Sequence, residues 1–188
     1  MRSSALGLLC GCAAAVLTGC STISSLNPFS SSKAAPPESP AAACPTAAIL
    51  KPLSQTAIFA PGAAQQPTGV AFYGLLSEVD AKCERVGNAA RASLDVIVVG
   101  ERGPAAGAAT GVDLQYFIAV ATADNTIVSK RSLTLHIPVP VGTRRAGVTD
   151  HLVETVPLVG PNPADTNIVL GFQQTPDVVQ FYRQYPAR

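Results

Sequence analysis

The sequence has no tryptophan, one methionine and two histidines among 188 residues. The missing tryptophan excludes the Cys-Trp-Cys core of true immunoglobulin domains. Charge is also scarce, since only 13% of residues are charged and 13 Lys+Arg stand against 12 Asp+Glu. A near-neutral chain without basic runs is a poor nucleic-acid binder, because displacing counterions needs clustered Lys and Arg. There is no acidic tail and no polybasic membrane patch. Catalytic signatures are missing as well: no G-x-S-x-G elbow, no Gly-Lys-Ser/Thr after the glycine-rich stretch and no C-x-x-C. No set of three or four ligands stands at metal spacing. What is plentiful is proline (16) and glycine (15), spread along the chain in a way that argues against a helical bundle.

The clearest signal is at the N-terminus. Met1–Ser4 carries one positive charge, and Ala5–Leu17 is an apolar run. That run is shorter than the ~20 residues a bilayer-spanning helix needs, and it fits a secretory h-region. Leu17-Thr18-Gly19-Cys20 follows and resembles the lipobox of bacterial lipoproteins. The resemblance implies that Cys20 receives a diacylglyceryl group and that signal peptidase II cuts between Gly19 and Cys20. It also implies that Ser21, which is not Asp, favours sorting to the outer membrane, with the protein facing the periplasm. A second box, Leu9-Cys10-Gly11-Cys12, leaves too short an h-region, so Cys10 and Cys12 are expected to leave with the leader. Residues 1–19 are therefore read as a signal peptide, and 20–43 as a lipidated N-terminus and a tether. The tether is rich in Ser, Pro and Ala and cannot bury enough surface to offset its ordering entropy. Fully extended it reaches roughly 75–80 Å.

The folded domain is expected over 44–188. Cys44 and Cys83 are the remaining cysteines, and an even count in an exported chain suggests a disulfide. Val79, Ala81 and Cys83 alternate with Asp80, Lys82 and Glu84, which points Cys83 inward from a strand. The alternative is a reactive thiol or metal ligand, but neither cysteine has a histidine nearby in sequence. Strands fit Thr46–Lys51, Val70–Leu76 continuing bent into 79–86, Ser93–Val99, Val112–Ala121, Ile127–Ile137, Val148–Val156 and Asn167–Phe172. Ala123–Thr126 is a turn whose Asp-Asn pair tolerates positive φ. One helix is expected over 176–185, with Thr175 as N-cap, Pro176 at the first helical position and an apolar stripe of Val178, Tyr182 and Tyr185. About seven strands and one terminal helix predict a mainly β fold, a single β-sandwich of immunoglobulin- or fibronectin-like architecture with its topology open.

Cys44-Pro45, Cys83, Arg102-Gly103-Pro104, Tyr116–Val120, Gly171-Phe172-Gln173 and Thr175-Pro176 give this domain a loose resemblance to uncharacterised envelope lipoproteins of alphaproteobacteria, over most of residues 44–183. That resemblance implies an envelope lipoprotein and brings no catalytic residue with it.

Candidate chemistry is thin. His136 is expected on a solvated strand face, and Asp150 and His151 are expected on opposite faces of one strand. Gly100, Gly103, Gly107 and Gly111 punctuate what reads as a long, flexible loop between strands, and Arg144-Arg145 is read as a solvated turn, with a contact to an anionic sugar or lipid as the alternative. No catalytic, cofactor or metal residue is assigned. The favoured expectation is a non-catalytic interaction module, held to the membrane by its lipid and meeting another envelope protein, in one version through a sandwich edge. The alternative is a small ligand-binding protein or hydrolase, which requires Asp150, His151, His136 or the 101–111 loop to converge in a pocket.

Overall fold

The computed structural model describes residues 44–158 and 165–186. The leader, Cys20 and the tether read from the sequence lie outside them. The described chain forms β1 (Thr46–Ile49), β2 (Gln55–Phe59), β3 (Val70–Val86), β4 (Ala89–Arg102), β5 (Gly111–Thr122), β6 (Ile127–Pro138), β7 (Arg145–Pro157), β8 (Thr166–Phe172) and α1 (Pro176–Gln184). Two four-stranded sheets result. Sheet one has the order β1-β8-β5-β6 and sheet two the order β2-β3-β4-β7. The fold is thus mainly β, a sandwich with a short C-terminal helix. Its strand order is not the ABED/CFG order of immunoglobulin domains. β1 runs parallel to β8, and all other neighbours are antiparallel.

Alternation builds the core. In β4, Leu94, Val96 and Val98 point inward, and Leu114, Tyr116 and Ile118 face them from β5. β8 adds Ile168, Leu170 and Phe172. In β3 the inward set changes phase. Phe72 and Leu76 are buried in the core, yet farther along the half-buried residues are Val79, Ala81 and Cys83. The register explains the change, because Leu76 pairs with Val98 and Glu78 with Ile97, leaving Ser77 as an extra residue. A bulge of this kind restores the inward face after an odd insertion. The expected bend between 76 and 79 is therefore one continuous strand with a register shift.

β2 has no counterpart among the expected strands. Both Thr56 and Ala57 are buried, one against each face of the sheet, so the segment lacks the alternation that marks a strand. Its neighbour Gly74 is needed for close approach. A Cβ there would come within 2.8 Å of Thr56 Cγ2 and 3.0 Å of Leu114 Cδ1 from the opposite sheet. The β5–β6 turn has Asn125 at φ 66°, as the Asp-Asn pair suggested. Hydroxyls of Thr122 and Thr126 donate to the Asp124 carboxylate and hold its pKa below the usual value.

The helix begins as expected. Thr175 Oγ1 accepts from the Val178 amide at 3.4 Å, Pro176 opens the first turn and Asp177 lies within it. Its buried side differs from the expected stripe. Val178 and Phe181 are buried, Tyr182 is half-buried and Tyr185 is exposed. Phe181 inserts edge-on between Phe59 and Tyr182, with ring centroids at 5.3 and 5.1 Å. This lays α1 on the outer face of sheet two, over Ala57, Phe59 and Tyr73.

Cys44 and Cys83 form a disulfide, with Cα atoms 5.9 Å apart. The bridge joins the residue leading into β1 of sheet one to β3 of sheet two. Closing a loop of sequence separation 39 removes unfolded-state entropy worth about 4 kcal/mol. The double variant Cys44→Ser, Cys83→Ser is expected to lose about this much unfolding free energy in urea titrations.

Candidate functional site

The two histidines stand far apart in the fold, each beside an aspartate across a strand pair. His136 Nδ1 lies 2.7 Å from Asp113 Oδ1 on the outer face of sheet one. His151 Nδ1 lies 2.6 Å from Asp95 Oδ1 on the outer face of sheet two. Asp150 faces the opposite way from His151, as expected; it turns inward and accepts a hydrogen bond from the buried Tyr116 hydroxyl at 2.5 Å. Burial first, and the Asp150 carboxylate second, push the Tyr116 phenol far above its ordinary pKa. Next to this pair, Arg131 of β6 bonds Glu154 of β7 across the open side of the sandwich. His136, His151 and Asp150 therefore do not converge. Of the glycine-rich loop, Gly111 lies beneath the His136 ring, where a Cβ would come within 2.8 Å of the imidazole.

That loop is pinned rather than flexible. Arg102 Nη1 donates to the carbonyls of Ala109 and Val139, the latter at 3.0 Å, and Nη2 donates to Gly107 at 2.7 Å. The same guanidinium lies 5.5 Å from the Phe72 ring centroid. The backbone amides of Gly103 and Ala105 bond Ala71 and Val70 at 2.7 and 2.9 Å. Gly103 has no room for a Cβ, which would sit 2.2 Å from the Val70 carbonyl oxygen. A planar fork with several donors gathers three carbonyls that would otherwise depend on water.

A concave site lies elsewhere, between the C-terminal half of α1 and the outer face of sheet two. It is a groove of about 710 Å³, within the size range of small-molecule sites. Tyr73 and Leu75 of β3 and Val99 and Glu101 of β4 form its floor. Phe181, Tyr182, Gln184 and Tyr185 form the helical wall, and Arg144 and Arg145 stand at the end where β7 begins. Burial, and then the neighbouring Tyr73 phenol, push Tyr182 up to about 12. Arg144 directs Nε and Nη2 to one oxygen of Glu101, at 3.2 and 3.0 Å. Arg145 pairs with Glu101 only in strand register. Its guanidinium has no ion pair among the described residues. Arg144 and Arg145 are both exposed just after the turn at Val141-Gly142, as a solvated turn requires, and they also border the groove. The groove and the disulfide lie toward opposite ends of the sandwich, Leu75 and Cys83 being separated along β3 by roughly 25 Å.

No tyrosine was singled out from sequence as a site residue. The groove joins Gln55, Tyr73, Glu101, Arg145 and Tyr185 from separate elements, and only the α1 cluster Phe181-Tyr182-Tyr185 is visible locally. Among the described residues no cluster of three metal-ligating side chains is present. No protein-family model, no curated protein and no solved structure matches the chain.

Two measurements check this geometry. Arg102→Leu is expected to lower unfolding free energy by about 2–3 kcal/mol, and Arg102→Lys to recover only part of it, because an ammonium lacks the fork. In alkali, stability should fall as pH rises above about 10, where tyrosines of the unfolded chain ionise while Tyr182 keeps its proton until about 12. A raised folded-state pKa contributes fully below the unfolded value and is lost on the way up. Tyr182→Phe should therefore make urea midpoints less steeply dependent on pH between 10 and 12.

Proposed function

We propose that the protein is a lipid-anchored envelope lipoprotein, held by Cys20 in the outer membrane and facing the periplasm. Its sandwich is a non-catalytic interaction module for another envelope component. The observation that carries this reading is the separation of its two ends. The chain arriving from Cys20 and the tether enters the sandwich at Cys44, which the disulfide fixes beside Cys83. The groove opens toward the other end, beside Arg144 and Arg145. The groove is thus at the end of the domain away from Cys44, the first described residue after the proposed tether. The lipobox Leu17-Thr18-Gly19-Cys20 and the resemblance to alphaproteobacterial lipoproteins support the anchor.

The partner surface is the groove rather than a sheet edge. Of the edge strands β1, β2, β6 and β7, the long pair β6 and β7 carries Arg131, Asp150 and Glu154 pointing between the sheets, and inward charges on edge strands discourage strand addition. The ligand-binding alternative is favoured by the same groove. The hydrolase alternative is not supported by the placement of His136, His151 and Asp150 on three different surfaces.

The test is fractionation combined with site-specific photocross-linking in intact cells. Cys20→Ser should appear uncleaved or soluble, and its normal retention in the membrane would overturn the anchor. A photoreactive residue at Tyr185, 40% exposed in the groove, should give a discrete adduct. One at Val86, 58% exposed in the β3–β4 hairpin near Cys83, should give none. Equal labelling from both positions would remove the groove as the contact surface.

A further inference from the structure

We propose that the groove binds an acidic saccharide, a chain of sugar rings bearing carboxylates, and this rests on the envelope-module reading above. The first argument is charge. Among the described residues lining the groove, Arg144 and Arg145 stand against a single acid, Glu101, which Arg144 already engages. The Arg145 guanidinium is the surplus cation, and its fork matches a carboxylate in two parallel hydrogen bonds. The second argument is the aromatic lining. Tyr73, Tyr182 and Tyr185 all line the groove, together with the side-chain amides of Gln55 and Gln184. Flat apolar faces interleaved with neutral donors and acceptors suit a sugar, which has C–H faces and a rim of hydroxyls.

The third argument separates a saccharide from a peptide. A peptide docking on a sheet satisfies its main chain at a free strand edge. The floor strands β3 and β4 are internal, and free edges occur only at the margins, where Gln55 stands on β2 and Arg145 on β7. Leu75 is paired with Gln55 on one side and Val99 on the other, and Glu101 with Tyr73 and Arg145. A peptide lying here would leave its amides to side chains, whereas sugar hydroxyls are met by side chains as a rule. The groove therefore reads rings and carboxylates, at the end of the domain away from the lipid.

The composition supplies a direct readout. The protein has no tryptophan and four tyrosines, three of them in the groove and the fourth, Tyr116, in the core. Full-length protein in a detergent without sugar headgroups is titrated with trigalacturonate while tyrosine fluorescence is followed. Galactotriose, triglutamate and citrate are titrated in parallel. Trigalacturonate should give a saturable change, with each of the other three about tenfold weaker or more. Arg145→Gln should weaken trigalacturonate binding about tenfold. Tyr185→Ala should weaken it too, and both side chains are exposed, so the fold is retained. Arg183→Gln, a charge-matched change on α1 outside the groove lining, should leave it unchanged.

No saturable change with trigalacturonate overturns the proposal, as does binding that is indifferent to Arg145→Gln. Equal binding of citrate or triglutamate also overturns it, since the site would then read a carboxylate without a sugar. Failure here, with membrane retention and the position-185 adduct intact, removes the saccharide and leaves the interaction module standing. Loss of retention control by Cys20 removes the anchor and leaves the saccharide titration unaffected.

Discussion

Ser77 is one residue more than β4 can pair with, and the arrangement of both sheets depends on how β3 absorbs it. Side chains on a strand alternate with a period of two. A strand whose inward residues change from Phe72 and Leu76 to Val79 and Ala81 must expose one half or the other unless its register slips by one. The bulge is that slip. It also turns Cys83 inward, toward the chain entering β1 of the other sheet, and makes the bridge to Cys44 geometrically available. β1 is four residues long and would be a weak edge without it. The bulge, the disulfide and the attachment of the N-terminal end of the domain are thus one construction.

The opposite flank is managed differently. β6 and β7 are long strands with no neighbour on one side, each a template for another strand. Between them lies a polar set that a sandwich core normally avoids: the Tyr116 hydroxyl on Asp150 and the Arg131 guanidinium on Glu154. The hydrogen bond satisfies the buried Tyr116 hydroxyl, and among the described residues no buried side-chain polar atom is left without a partner. The arrangement closes the sandwich with groups that an incoming apolar strand cannot use.

At the end away from the disulfide, two arginines perform opposite tasks. Arg102 spends its donors inward, on the carbonyls of a glycine-rich loop, and makes that loop part of the rigid body. Arg145 keeps its donors outward, beside three tyrosines that α1 and β3 hold in place. Among the described residues the Arg145 guanidinium has no ion pair, and the proposed binding surface would leave little ordering for a ligand to impose.

The sequence by itself determined whatever depends on near neighbours. Alternation in 112–121 and 127–137, and β-branched residues in 93–99, specified strands. Asp124-Asn125 marked the turn, Thr175-Pro176-Asp177 marked the helix start, and the phase of Val79-Ala81-Cys83 pointed to the disulfide. It also separated Asp150 from His151, because adjacent strand residues face opposite ways. Tertiary structure decided the rest. β2 escaped notice because burial on both faces erases alternation. The expected helical stripe named Tyr182 and Tyr185 in place of Phe181, because the choice among neighbouring apolar residues depends on where sheet two lies beneath the helix. The aspartate beside each histidine, the carbonyls around Arg102 and the groove itself each join residues from separate strands. Local pattern tells which way a side chain points; what it meets there depends on strand order and register, which are set by packing the whole chain at once.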